Sequence, residues 1–169
     1  MAYSSLALAN VSITAKGAKM AMLTNGAERC NYTFAEPTQC PFGPSNFDKD
    51  PAATRQNLDI RVSGAAAEFF DGLDAWAIDY ICAHSERLFK KNLSLAQVKD
   101  MYHPCLRKAP GYDPLLRTKY NTPGNRGACR FWTAGGEERE APVDWRDAEV
   151  TPHVHVSHLW MMGSSCGLV

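Results

Sequence analysis

Between residues 85 and 130 the chain combines dense positive charge with interspersed aromatic rings. This block holds ten Lys and Arg residues against three Asp and Glu, although the formal net charge of the whole chain is zero. Cations that follow the phosphates and rings that stack on bases are the two ingredients of single-strand recognition. The block therefore predicts binding of single-stranded nucleic acid, DNA in the first instance, without strong sequence preference. The candidate phosphate contacts are Lys108, Arg117, Lys119, Arg126 and Arg130, and the candidate stacking residues are Tyr112, Tyr120 and Trp132.

The segments on either side of this basic block are acidic. Residues 1–84 hold six basic and nine acidic residues, and residues 131–169 hold two and six. A basic block in a neutral chain suggests a polyanionic partner. The plainer interpretation is that the lysines form a solvated helix face while Tyr102 and Trp132 belong to the core, and both interpretations stay open at this point.

A second candidate site is the H-x-H-x-x-H pattern of His153, His155 and His158. Strand alternation places the first two on one face and His158 on the other unless a bulge intervenes. Zinc or iron needs a third or fourth ligand, which Cys166 or a distant carboxylate has to supply. The alternatives are a metal-dependent enzyme on a β-barrel that uses His153 and His155, and a polar strand face without metal.

Other catalytic signatures are missing from the sequence. Ser164 and Ser165 lie in GSSCG without the strand-turn-helix context of a nucleophile elbow. The chain has no P-loop, no G-x-G-x-x-G fingerprint and no paired helical carboxylate motif. We therefore expect a protein that is not an enzyme and that needs no cofactor.

The cysteine pattern bears on the compartment. Six cysteines lie far apart, without a C-x-x-C pair, which favours reduced thiols over a disulfide framework. No apolar run is long enough to span a bilayer, and the N-terminus does not look like a signal peptide. We expect an intracellular protein of the nucleus or cytoplasm.

The elements that position these residues follow from hydrophobic periodicity. We predict two strands between Leu6 and Leu23, a strand at 57–63, and strands at 128–133 and near the C-terminus. A long helix is expected at about 65–91, and a capping box at Ser94 and Gln97 starts a short helix at about 94–103. Residues 25–56 are predicted as a long Pro- and Gly-rich loop, 105–127 as an extended connection and 135–149 as an acidic loop. Together they predict one β-rich α+β domain over residues 1–169.

Two further expectations concern packing and the chain end. The long helix should pack on the sheet through Phe69, Leu73, Trp76 and Tyr80, which makes Trp76 a core aromatic residue. The sequence ends on the apolar Leu168 and Val169, which favours a longer parent sequence that continues past Val169.

The C-terminal pattern of Trp160, Met162, Gly163 and Gly167, with the segment NLDIRVSG and its following helix, resembles a known group of proteins. These are the divergent OB-fold single-stranded DNA-binding proteins of large algal DNA viruses, which are similar to those of T-seven-like podophages. The resemblance covers most of the chain and implies an OB-like barrel, or a strongly curved antiparallel sheet, with a helical insertion. It also implies a role in replication or repair, with replication proteins as partners. Such proteins usually end in an acidic tail, whereas the acidic stretch Glu137–Glu149 is internal here.

One further alternative is a non-catalytic subunit of a larger assembly, whose Pro-rich segment 36–51 wraps a partner. The sequence does not fix the oligomeric state.

Overall fold

The computed structural model describes residues 3–15, 17–46, 50, 53–124, 127–146 and 148–169. The helices are a 3-10 helix (Tyr3–Ser5), α1 (Gly64–Ala83), α2 (Ser85–Phe89) and α3 (Leu95–Met101). The strands are β1 (Leu6–Ile13), β2 (Lys19–Asn25), β3 (Cys30–Thr33), β4 (Thr38–Gln39), β5 (Arg55–Arg61), β6 (Tyr102–His103), β7 (Leu106–Arg107), β8 (Leu115–Asn121), β9 (Phe131–Trp132), β10 (Glu138–Arg139), β11 (Glu149–Val150), β12 (His153–Val156), β13 (His158–Met162) and β14 (Ser165–Leu168). Strands outnumber helices and one helix is long, which confirms the β-rich α+β class.

Two compact units divide the chain, and each is built from segments distant in sequence. The first comprises Met1–Thr33, Ser63–Arg107 and His153–Val169, and the second comprises Phe34–Val62 and Lys108–Pro152. The first unit contains a five-stranded sheet in the order β1-β2-β13-β14-β6 and the separate pair β3-β12. The second contains the pairs β5-β8, β4-β11 and β9-β10. Over the described residues these sheets are open and do not close into a barrel.

The core of the first unit lies under one face of α1. Phe70, Leu73, Ala77 and Ile81 are almost completely buried, and their three- and four-residue spacing keeps them on one side of the helix. Phe69 on the same face stacks on Tyr32 of β3, with ring centroids 4.5 Å apart. This packing confirms the predicted burial of Phe69 and Leu73.

Trp76 and Tyr80 are not core residues, contrary to expectation. Both are half-buried, and their rings form a row with His84 along the helix, at centroid distances of 5.1 and 4.3 Å. Residues four apart on a helix are neighbours on its surface, so these rings pack against one another along the helix. The sequence pattern could not distinguish such a row from a core stripe.

Several predicted element bounds need correction. The long helix is interrupted at His84, where α1 ends and α2 begins. The predicted loop at 25–56 contains β3 and β4, the predicted connection at 105–127 contains β8, and the predicted acidic loop at 135–149 contains β10. Since β3 and β4 pair with β12 and β11, more than a hundred residues away, no local pattern reveals them.

The capping box predicted at Ser94 is present at the start of α3. Ser94 Oγ accepts a hydrogen bond from the Gln97 backbone N–H at 3.3 Å, and Gln97 Oε1 accepts one from the Ser94 backbone N–H at 2.9 Å. This reciprocal pair is the capping box, which satisfies two amide groups that the helix leaves unpaired. The helix itself runs from Leu95 to Met101 rather than from 94 to 103.

A buried carboxylate joins α1 to the edge of the five-stranded sheet. Asp74 is 7% exposed, and its Oδ1 accepts a 2.7 Å hydrogen bond from the Tyr102 hydroxyl of β6. Its Oδ2 accepts a 2.9 Å hydrogen bond from the Cys105 backbone N–H. Burial raises the pKa of Asp74 above 3.8, although these hydrogen bonds offset part of that rise.

We predict that Asp74→Ala lowers the free energy of unfolding by about 1–3 kcal/mol, because it leaves two buried donors unpaired. Asp74→Asn keeps an acceptor oxygen and should cost less. The raised pKa means that the folded state holds the Asp74 proton more tightly than the unfolded state. The contribution of this carboxyl to stability is therefore full below pH 3.8 and is lost as pH rises through its folded pKa.

Urea unfolding of the wild type and of Asp74→Asn between pH 3.5 and about 7 measures this dependence. The wild type should lose stability relative to Asp74→Asn as pH rises. Parallel stability curves would contradict the assignment of a raised pKa to Asp74.

Candidate nucleic-acid interface

Four basic residues of the second unit lie on the β5-β8 pair. Seven antiparallel residue pairs join the two strands, from Arg55 opposite Asn121 to Arg61 opposite Leu115. Alternation sends Leu58, Ile60, Leu116 and Tyr120 to one face, where all four are buried. The opposite face carries the basic residues Arg55, Arg61, Arg117 and Lys119, which we call the cationic ladder.

One carboxylate, Asp59, lies among these four cations on the two strands. It is 9% exposed and is bound by two hydrogen bonds from Arg117, Nε to Oδ1 at 2.9 Å and Nη2 to Oδ2 at 3.3 Å. These hydrogen bonds raise the pKa of Arg117. The Arg117 side chain nevertheless remains 52% exposed, so it also faces solvent where a phosphate could approach.

Lys119 shows that the cationic ladder is electrostatically crowded. Its Nζ donates a 2.6 Å hydrogen bond to Asn57 Oδ1 directly across the strand pair. The pKa of Lys119 is lowered, first by partial burial and then by the positive charges of Arg55 and Arg117. Like charges this close favour the arrival of an anion.

Arg61 at the other end of the cationic ladder has a looser counterion. Its Nε lies 3.8 Å from Asp113 Oδ2, and both side chains are about half exposed. An exposed ion pair at that distance contributes little to stability. Arg61 is therefore open to exchange Asp113 for another anion.

Tyr120 was predicted to stack on bases, but it lies in the core of the second unit. It is 6% exposed, and its ring meets Trp145 edge-on at 5.5 Å and Phe131 at 6.2 Å. Phe131 and Trp145 complete the cluster at 5.7 Å. Because no open ring face remains for a base, the role of Tyr120 is to hold the strand that carries Arg117 and Lys119.

Arg130 and Trp132 come together on the β9-β10 hairpin. The Arg130 guanidinium lies 5.2 Å from the centroid of the Trp132 ring, and Trp132 is 53% exposed. Arg130 also forms two 2.9 Å hydrogen bonds to the Glu138 carboxylate, which lower the pKa of Glu138 and raise that of Arg130. The Arg130 guanidinium thus contacts both an aromatic ring and a carboxylate.

The remaining predicted contacts are dispersed. Tyr112 is 81% exposed in a turn whose backbone N–H bonds back to Ala109, and Lys108 is exposed just before it. Arg126 lies outside the described residues. The structure therefore brings Arg117 and Lys119 together, and separately Arg130 and Trp132.

Arg55 and Arg61 were missed by the sequence reasoning, which searched the basic block at 85–130. They belong to an acidic stretch of the chain and join the cationic ladder only because β5 pairs with β8. The alternation in residues 55–61 would have placed both on one face, but it could not name the partner strand.

The first unit also exposes a flat aromatic surface that the sequence reasoning did not assign. Trp160 of β13 lies opposite Gly167 of β14, which lies beside His103 of β6. The Trp160 and His103 rings are 5.6 Å apart and inclined by 30°. A Cβ on Gly167 would stand 2.8 Å from the His103 carbonyl oxygen and 3.1 Å from Trp160 Nε1, so glycine is required there.

This face of the five-stranded sheet is also apolar and free of carboxylates. Met22 and Met162 are 42% and 62% exposed, and the strands β1, β2, β13, β14 and β6 contain no Asp or Glu. We call the surface of Met22, His103, Trp160, Met162 and Gly167 the sheet platform. Its rings and thioethers suit stacking partners, and its strands carry no carboxylate that repels a polyanion.

Strand alternation places His153 and His155 on one face as predicted, but His158 lies on a different strand rather than on the opposite face of the same one. His153 and His155 are exposed on one face of β12, whereas His158 begins the next strand, where its Nδ1 lies 2.7 Å from Ser157 Oγ. No cluster of three or more His, Cys, Asp and Glu side chains suited to a metal ion occurs within the described residues. The part of the chain that the structure describes thus supplies no third ligand for a catalytic centre.

Three properties of the described chain bear on the remaining sequence predictions. All six cysteines are described, and each is a free thiol. Burial raises the pKa of Cys40 and of Cys166 to about 11, so neither is an activated nucleophile. Among the described residues, no helix has the length and apolar character to cross a membrane.

We predict that Lys119→Gln raises the free energy of unfolding at neutral pH, because it removes a cation whose charged form the fold disfavours. A lowered pKa means that Lys119 releases its proton earlier in the folded state than in the unfolded state. The free-energy cost of the charged Lys119 is full below its folded pKa and disappears as pH rises from there toward 10.5. The advantage of the variant should therefore shrink in that alkaline window.

Urea unfolding at pH 7 and at two alkaline values tests this, with Lys99→Gln on the exposed surface of α3 as the control. A variant that is destabilised at neutral pH would contradict the electrostatic account of the cationic ladder.

Comparisons with protein-family models, with curated proteins and with solved structures each found no match. The resemblance carried by Trp160, Met162, Gly163 and Gly167 therefore stays a prediction.

Proposed function

We propose that this protein binds single-stranded nucleic acid, with the cationic ladder on the phosphates and exposed rings on the bases. The observation that carries the proposal is the closeness of Arg55 and Arg117 to Lys119, with Asp59 as the one carboxylate on the two strands. A cluster of like charges lowers the stability of the free protein, and its presence is explained if an anion binds there. The biological role that corresponds to this binding is in replication or repair.

The geometry of the cationic ladder suits a phosphate backbone. Arg55 and Lys119 lie on adjacent strands, two residue pairs apart along the register. Their cations are thus a few ångströms apart across the pair and about 7 Å apart along it, which matches a linear array of charges rather than a single ion. Arginine adds bidentate geometry to phosphate oxygens.

Aromatic groups on both units supply the second ingredient. Trp132 and Tyr112 are strongly exposed in the second unit, and the sheet platform adds Trp160 and His103 in the first. Base faces are accessible to such rings when the strand is unpaired, whereas a duplex hides them in its stack. These groups favour single strands over duplex.

The Glu138 carboxylate binds the Arg130 guanidinium as a phosphate would. Its two oxygens accept the same paired hydrogen bonds that a phosphate would accept. A bound strand therefore has to displace Glu138 before Arg130 and the covered face of Trp132 take part in binding. Arg130 contributes less than its exposure suggests until this exchange occurs.

The test is a fluorescence-anisotropy titration of a labelled oligothymidylate at several salt concentrations. We expect salt-sensitive binding that an unlabelled single strand, but not a duplex, competes away. The double variant Arg55→Gln/Lys119→Gln should bind more weakly, and the slope of log K against log salt should fall by about 1.4, or about 0.7 for each lost phosphate contact.

The matched control is Lys91→Gln/Lys99→Gln, which removes two exposed cations from the first unit and changes net charge equally. It should leave the slope near that of the wild type. An equal loss in both double variants would reduce the binding to non-specific charge attraction, and absence of binding at low salt would refute the proposal. A matched uridine oligonucleotide shows whether RNA binds comparably.

A further inference from the structure

The exposed face of β12 carries a pair of imidazoles that the proposed function does not use. β12 pairs with β3 in the first unit, so that His153 lies opposite Thr33 and His155 lies opposite Asn31. Both histidines and Thr33 are exposed. The other face of the pair is apolar, since Tyr32 packs there on Phe69 and Phe70.

Each imidazole is held through its Nδ1 atom by the neighbouring strand. His155 Nδ1 lies 3.2 Å from the Cys30 carbonyl oxygen and 3.0 Å from Asn31 Oδ1. Both partners are acceptors in this assignment of the amide, so Nδ1 carries the proton and Nε2 keeps its lone pair. His153 Nδ1 lies 2.6 Å from Thr33 Oγ1, and a hydroxyl is able to accept from the same tautomer because it can act as donor or acceptor.

This is the arrangement that metal-binding histidines adopt. Such a histidine donates its second ring N–H to a carbonyl or another acceptor, which fixes the tautomer and the ring orientation. The two residues are spaced i and i+2 on a strand, about 6.7 Å apart along it. Two nitrogen ligands of one ion stand about 3.3 Å apart at the tetrahedral angle, so the rings lean toward each other when an ion binds.

We propose that His153 and His155 bind one divalent transition-metal ion through their Nε2 atoms. Imidazole nitrogen selects Cu²⁺, Ni²⁺ and Zn²⁺ over Mg²⁺ and Ca²⁺, which prefer oxygen. Only two protein ligands meet the ion, so water completes its coordination and the ion exchanges readily. The site differs in this respect from a closed structural centre with four protein ligands.

Isothermal titration of the full chain with Ni²⁺ tests the proposal, with Zn²⁺ as a competitor. We expect one saturable site per chain that is lost in His153→Gln and in His155→Gln. The control His84→Gln changes an exposed histidine on another element and should keep the site. A far-ultraviolet circular dichroism spectrum confirms that each variant is folded.

A second variant tests the hydrogen-bonded arrangement itself. Thr33→Val keeps a β-branched side chain but removes the partner of His153 Nδ1, and it should weaken Ni²⁺ binding by about 10-fold or more. Full affinity in the double variant His153→Gln/His155→Gln, or no saturable binding in the wild type, would overturn the proposal. Neither result bears on nucleic-acid binding, which is measured separately.

Discussion

The antiparallel register of β5 and β8 is the constraint on which the candidate interface depends. Seven residue pairs hold the two strands together, and their alternation puts apolar side chains inward and cations outward. A slip of one residue would bury Arg117 and Lys119 and expose Leu116 and Tyr120. The aromatic cluster of Tyr120, Phe131 and Trp145 opposes such a slip, because Tyr120 contacts both other rings only in the observed register.

The same pairing explains why the cations stay close together despite their repulsion. Asp59 neutralises part of the charge of Arg117, and Asn57 accepts a hydrogen bond from Lys119, so the fold offsets crowding without removing it. The pKa of Lys119 is lowered first by partial burial and then by the charges of Arg55 and Arg117, and the second effect is the part of the cost that crowding leaves. A bound phosphate would relieve this cost, which links the stability of the second unit to its proposed ligand.

The five-stranded sheet of the first unit separates its two faces in a similar way. Leu159 and Cys166 face the core and are fully buried, whereas their neighbours Trp160 and Gly167 belong to the sheet platform on the opposite face. The parallel pairing of β14 with β6 brings His103 beside them, and Asp74 anchors β6 to α1 through Tyr102. A buried hydrogen bond thus fixes one edge of an exposed surface.

Local patterns in the sequence predicted what depends on neighbours along the chain. The alternation around Leu58 and Ile60, the helical period of Phe69 and Leu73 and the capping box at Ser94 each gave a correct element. What failed depends on partners far away in sequence. The short strands β3 and β4 exist because β12 and β11 cover them, and Arg55 joins the cationic ladder because β8 lies beside it.

The same distinction between local pattern and distant partners applies to the candidate site residues. Charge density identified Arg117 and Lys119 without any knowledge of pairing, but it could not separate them from Arg130, whose charge Glu138 balances. Tyr120 and Trp132 are both aromatic residues of the basic block, and only tertiary packing decides that one is buried and the other exposed.

The most direct test of the central claim is a map of backbone amide shifts in ¹⁵N-labelled protein titrated with an unlabelled oligothymidylate. If the cationic ladder contacts the phosphates, the largest shifts fall on Arg55–Arg61 and Leu115–Asn121. Binding that shifts other surfaces while these two strands stay unmoved would contradict the account.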